Sequence, residues 1–134
     1  MNIRTTILCL PVQNLEETLT FYSNIFGLPD IKIEEGMITI ELPNLSLFFM
    51  ETTAFEGYSR KAGRGVQLPN QNVGTIISCA LMTKKDVDTA LENAPNYGGV
   101  VKEKAKIDEL YGGYIGYISD PDGHLWELVY PQQN

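Results

Sequence analysis

Histidine and cysteine are scarce in this 134-residue chain: one histidine, His124, and two cysteines, Cys9 and Cys79. The cysteines stand far apart, outside any CxxC or Cys/His cluster and each inside an apolar run, so buried free thiols are expected rather than a disulfide framework. Neither has a sequence neighbour that would lower its pKa, which argues against a cysteine nucleophile. Basic residues are also in deficit, ten against seventeen acidic ones, for a net charge of −7. A binder of phosphate backbones must neutralise them with Lys and Arg, so a nucleic-acid partner is not expected. The acidic balance keeps a protein soluble and permits a cationic ligand. Long hydrophobic runs are missing too. The N-terminal run Ile7-Leu8-Cys9-Leu10 ends at Pro11, too short for a signal-peptide core or a membrane span, so a cytoplasmic protein without a membrane partner is expected. No glycine-rich phosphate loop occurs; Gly98-Gly99 and Gly112-Gly113 read as punctuation at strand ends.

What is present suits one globular domain over residues 1–134. Apolar residues at 43% and charged ones at 20% are ordinary values that argue against disorder. Residues 3–12 read as a strand closed by Pro11. Asn14 then begins a helix as its cap, with Glu17 where a capping-box partner belongs. Leu15, Leu19, Tyr22 and Phe26 recur at helical spacing, and Gly27 terminates the helix. Strands follow at about 30–35, 37–42 and 45–51, separated by Glu35-Gly36 and Pro43-Asn44. Residues 52–73 hold no clear period and read as a long connecting loop.

The pattern restarts at residue 74: a strand over 74–82, a helix opened by Thr83 and carrying Val87, Ala90, Leu91 and Ala94, and strands at about 99–106, 113–119 and 124–130. Asp120-Pro121-Asp122-Gly123 joins the last two as a tight turn, so its two aspartates read as turn formers rather than a catalytic pair, with His124 beside them at the surface. Shifting the first copy by 72 positions lays Leu15 on Val87, Leu19 on Leu91 and Ile7 on Cys79. The expectation is an α+β fold of two tandem βαβββ units, residues 1–51 and 74–130, with a curved mixed sheet whose second face is buried by pairing the units.

Leu10-Pro11-Val12-Gln13-Asn14-Leu15-Glu16-Glu17-Thr18 leading into Phe21-Tyr22-Ser23-Asn24-Ile25-Phe26-Gly27-Leu28 resembles the first strand and helix of the vicinal oxygen chelate superfamily, the glyoxalase, bleomycin-resistance and extradiol-dioxygenase group. Gly112 through Leu128, with Ser119-Asp120-Pro121-Asp122-Gly123-His124-Leu125-Trp126-Glu127-Leu128, is similar to its final hairpin. The resemblance covers nearly the whole chain. It implies a cup in which the enzymes hold a divalent metal through His or Glu from the first and last strand of each unit. Carried over residue by residue, those positions fall on Ile7, Phe48, Cys79 and Glu127, and only Glu127 has the ligand type. Slips of two residues, which preserve strand face, bring in Thr5, Cys9, Ile77, Ser46 and Met50, again without a His or carboxylate. One glutamate is not a metal site, so neither a metal nor another cofactor is expected.

The inferred cup is mostly apolar, with Glu127 as its polar anchor and Phe48, Cys79, Ile7, Met50 and Tyr114 as the other ligand-binding candidates. This favours a metal-free small-molecule binding protein for a cationic or aromatic ligand. The alternatives are a glyoxalase-like lyase or isomerase, or a dioxygenase, with an atypical active site and Glu127 as base, and a purely structural module. The resemblance also implies a homodimer, since such cups are often completed across a two-fold interface.

Overall fold

The structure, a computed structural model, describes residues 1–131; the last three positions of the expected 1–134 domain lie outside the described residues. The first unit consists of β1 (Ile7–Val12), α1 (Leu15–Ile25), β2 (Ile33–Glu34), β3 (Met37–Leu42) and β4 (Leu45–Glu51). Its sheet has the order β1-β4-β3-β2, with β1 parallel to β4 and the other pairs antiparallel. The segment expected to be a loop begins instead with a helix, α2 (Thr52–Ser59), and a 3-10 turn (Arg60–Ala62). It escaped the reading because it has no side-chain cap and buries no residue completely, so neither an N-cap signal nor an apolar stripe marks it. The second unit repeats the first: β5 (Ile76–Ala80), α3 (Lys84–Asn93), a 3-10 turn (Ala94–Tyr97), β6 (Val100–Ile107), β7 (Tyr114–Ser119) and β8 (Leu125–Tyr130), in the order β5-β8-β7-β6 with β5 parallel to β8. The curved mixed sheet is thus two four-stranded sheets, one per unit.

Local chemistry sets the boundaries. Asn14 accepts from the backbone N–H of Glu17 at 3.0 Å, and Thr83 does the same for Asp86 at 3.0 Å, each satisfying a free donor of the first helical turn. Glu35 and Gly36 both have positive φ, 54° and 74°, the backbone of a two-residue hairpin turn between β2 and β3. Before β1, residues 1–6 are exposed and outside the sheet, so the strand is shorter than the apolar pattern suggested.

Strand alternation divides each sheet into two faces. One face carries Leu10, Val12, Leu47 and Phe49 in the first unit and Ile77, Trp126, Leu128 and Ile118 in the second, all buried in one core cluster with Phe21 and Tyr22 of α1 and Val87, Ala90 and Leu91 of α3. The opposite faces stay partly open. Met50 is covered there: it is buried but outside the core cluster, beside buried Pro11 and Met37 in register, where α2 packs on β1 and β4.

The units meet through α1, the end of β1 and the β7–β8 turn. Asp120 Oδ1 accepts from the backbone N–H groups of Asp122 and His124, both at 2.9 Å, which is the turn-forming role expected of it. Its Oδ2 accepts from the Tyr22 hydroxyl at 2.7 Å, and Trp126 Nε1 donates to that same hydroxyl at 2.9 Å. Asp122 Oδ1 accepts from the Gln13 backbone N–H at 2.8 Å. His124, expected at the surface, is buried, with Nε2 2.7 Å from the Pro11 carbonyl oxygen. A carbonyl only accepts, so Nε2 carries the proton. Thus the histidine ties the units together. Gly123 admits the connecting segment to this turn: with φ +94°, a Cβ there would lie 2.0 Å from the Pro69 carbonyl oxygen.

Candidate functional site

Glu127 lies at the centre of the open face of the second sheet. Its register neighbours are Ser78 on β5 and Tyr117 on β7, and neighbours in register project to the same side. Ser78 Oγ donates to Glu127 Oε1 at 2.6 Å, and the Tyr117 hydroxyl donates to Oε2. The carboxylate is thereby held in one orientation, with its remaining lone pairs free for a donor. Along β8 its same-face neighbours are Leu125 and Val129, both half-buried, and Ile115 flanks Val129 on β7. The hydrogen bond to Glu127, assisted by burial and the negative charge, pushes the Tyr117 phenol up to about 12, so it remains a protonated donor at neutral pH.

A cavity of about 270 Å³ adjoins this row. Tyr117, Ser119 and Leu125 line its sheet side, and Asn70, Val73 and Lys102 face them from the connecting segment and β6. The pinning of Pro69 against Gly123 therefore positions one wall of the site. The open face of the first sheet has its own cavity of about 380 Å³, lined on β3 by Met37, Thr39 and Glu41.

The residues expected at the site divide between faces. Phe48, Ile7 and Met50 do lie on the open side of the first sheet. Phe48 sits between Cys9 and Thr39, Ile7 is one row away beside Ser46, and Met50 is covered. Cys79 does not join Glu127. It pairs with Leu128 and packs against the core on the helix side, one residue out of phase, so Ser78 occupies the expected place. Burial, with a contribution from the Glu127 charge, pushes the Cys79 thiol up to about 11. It is therefore the inert thiol at neutral pH. Cys9 is exposed rather than buried, on the open face. Tyr114 also belongs to the helix side. It pairs with Tyr130, its hydroxyl donates to Asp88 of α3, and the Lys84 ammonium lies 4.7 Å from its ring centroid. Tyr117, three positions further along the same strand and so on the opposite face, is the tyrosine that reaches Glu127. Ser78 was the residue missed; it is the one polar side chain within the strand Ile76–Ala80 apart from the cysteine.

Two rows of side chains on the open faces are the places where a metal cradle could form. Glu127 is accompanied by Ser78 and Tyr117, and Phe48 by Cys9 and Thr39. Among the described residues, no three His, Cys, Asp or Glu side chains converge into a ligand set. These donors do not fit a divalent metal, which needs several oxygen, nitrogen or thiolate ligands.

The fold and the duplicated unit place the molecule among the βαβββ proteins, and the sequence comparison agrees. The model of the Glyoxalase/Bleomycin resistance protein/Dioxygenase superfamily matches residues 4–128, so the chain belongs to that superfamily. It is 26% identical over 126 residues to "Lactoylglutathione lyase GLX1" of Arabidopsis thaliana and 25% identical to a putative lactoylglutathione lyase of Brassica oleracea var. gemmifera. Each match covers 88% of this chain but only 41% of the relative, so the chain spans about two-fifths of the length of these curated relatives. Among solved structures, a hypothetical protein from S. aureus has a TM-score of 0.81 at 22% identity, covering 97% of this chain and 95% of that one. A glyoxalase-related enzyme from Fulvimarina pelagi has a TM-score of 0.79 at 21% identity, covering 95% and 87%. At these identities the structural likeness speaks to the fold. Among the described residues, no helix is long and apolar enough to cross a membrane.

Proposed function

We propose that this chain is a metal-free small-molecule binding protein whose site is the open face of the second sheet. The observation that carries this reading is the Glu127 carboxylate, oriented by Ser78 and Tyr117, flanked along its strand by Leu125 and Val129 and beside a cavity that Glu103 and Lys102 also line. Among the described residues Glu127 makes no ion pair, so its charge is available to a ligand. A small molecule with a cationic or strongly donating group on an aromatic or aliphatic body complements it. The acidic chain attracts such ligands and disfavours nucleic acid. We further propose a homodimer in which a second copy covers the open faces, where Ile7 and Ile76 are 43% and 54% exposed.

The test is a thermal-shift screen of the purified protein against amines, thiol conjugates and aromatic compounds, because binding to the native state raises its stability. Once a ligand is found, Glu127→Gln preserves shape and removes charge. Binding should weaken by about tenfold or more, the scale of one charge-assisted hydrogen bond. Unchanged affinity rejects Glu127 as the anchor. Elemental analysis near one transition metal per chain rejects the metal-free reading. The similarity to lactoylglutathione lyases favours a second reading, a lyase with Glu127 as base. Turnover of a glutathione–methylglyoxal adduct that Glu127→Gln abolishes would establish it.

A further inference from the structure

A second cavity, about 370 Å³, opens where the two units meet, between the C-terminal end of α1 and the beginning of α3. Phe26, Leu81, Ala90 and Leu128 form its walls. Leu128 is adjacent to Glu127 on β8 and therefore projects to the other side of the sheet, so this cavity is separate from the site above. Phe26 and Leu81 are half-buried, and Met82 at the lip is 87% exposed. The side chains of these walls are apolar and offer an entering ligand a hydrophobic surface.

The polar groups are confined to one rim. Asp86 and Thr89 both line the cavity, and residues three apart on a helix share a face. Asp86 makes no ion pair among the described residues. The hydroxyls of Thr18 and Thr20 donate to the carbonyls four residues earlier, whereas among the described residues Thr89 makes no such bond. No Lys or Arg lines the cavity, and Lys84 is drawn away over the Tyr114 ring. One rim therefore offers an unneutralised carboxylate and a free hydroxyl oxygen, while the remaining walls are apolar.

We propose that this seam cavity is a second binding site, for a small apolar body that carries a primary ammonium group. The body lies against Phe26, Leu81 and Leu128, and the ammonium donates to the Asp86 carboxylate and the Thr89 hydroxyl. The volume exceeds the roughly 300 Å³ at which ligand clefts begin. Ile25 and Phe26 at the end of α1 belong to the first unit, whereas the other lining residues come from the second, so the ligand bridges the units and adds to native-state stability.

The probe is 2-phenylethylamine, followed by methyl NMR on the full chain, with phenylacetate as the same ring bearing the opposite charge. The amine should shift the methyl signals of Leu81, Ala90 and Leu128 saturably, and phenylacetate should not. Asp86→Asn should weaken the amine by about tenfold or more, the loss of one charge-assisted bond, and Thr89→Trp should abolish binding by filling the mouth. Both positions are exposed, so both variants should fold, as circular dichroism will report. Glu127→Gln should leave these shifts unchanged, which separates this site from the one on the opposite face. Shifts confined to Leu125, Val129 and Ile115, equal binding of phenylacetate, or no shift at millimolar amine would each overturn the proposal.

Discussion

Tyr22→Phe tests the clamp between the two units in its simplest form. The Tyr22 ring is completely buried against Phe21, Phe49 and Trp126, with centroid distances of 4.9, 4.6 and 5.9 Å. Phenylalanine keeps those contacts, so the packing contribution barely changes. What it removes is the oxygen that accepts from Trp126 Nε1 at 2.9 Å and donates to Asp120 Oδ2 at 2.7 Å. Two buried polar atoms then lose a partner together. Each such loss costs about 1–3 kcal/mol, so about 2–6 kcal/mol is expected. Domains are commonly stable by only about 5–15 kcal/mol, and at this size each kcal/mol moves Tm by about 4 °C. A fall on the order of 10 °C or more should follow. Urea unfolding, monitored by fluorescence of the sole tryptophan, Trp126, reads this directly because that residue sits at the clamp. A loss below about 1 kcal/mol with an unchanged denaturant slope would refute the reasoning.

Burial raises the Asp120 carboxyl above its ordinary value of 3.8 despite the opposing influence of His124 and the Tyr22 hydrogen bond. A raised folded-state pKa means that protonation favours the folded chain, so the contribution is present below pH about 3.8 and lost as pH rises through the folded value. Comparing urea midpoints across that window, Asp120→Asn should become more stable relative to the parent as pH rises; an opposite slope counts against the assignment. Gly123→Ala should cost about 1–3 kcal/mol from its positive φ alone, and more from the 2.0 Å approach to Pro69, seen as a lower urea midpoint; a neutral substitution would contradict this geometry. In the native state a thiol-reactive disulfide reagent at pH 7 should modify exposed Cys9 quickly and Cys79 slowly, because burial holds the latter near 11. Mass spectrometry finding equal rates would remove the distinction.

Where periodicity and turn chemistry dominate, the chain reads almost directly. Asn14 and Thr83 cap helices as their positions suggest, Glu35-Gly36 makes the first hairpin, and Trp126 and Leu128 enter the core by alternation from Glu127. These are near-neighbour effects, settled by residues a few positions apart. The connecting helix α2 lay beyond that kind of reading because its stabilisation comes from contacts with β1 and β4 rather than from caps or an apolar stripe.

The sequence by itself determined the duplicated units and put Glu127 on the face opposite Trp126, because strand alternation is a local rule. Tertiary structure decided what surrounds that carboxylate. Parallel pairing of β5 with β8 put Ser78 rather than Cys79 beside it, a shift of one residue that alternation turns into a change of face. By the same parity Tyr117 reaches Glu127 while Tyr114 turns to Asp88. His124 had every local mark of a surface turn residue, yet its partner, the Pro11 carbonyl, comes from 113 positions away. Only the docking of one unit on the other brings that oxygen to the ring, and no periodicity within either unit encodes the encounter.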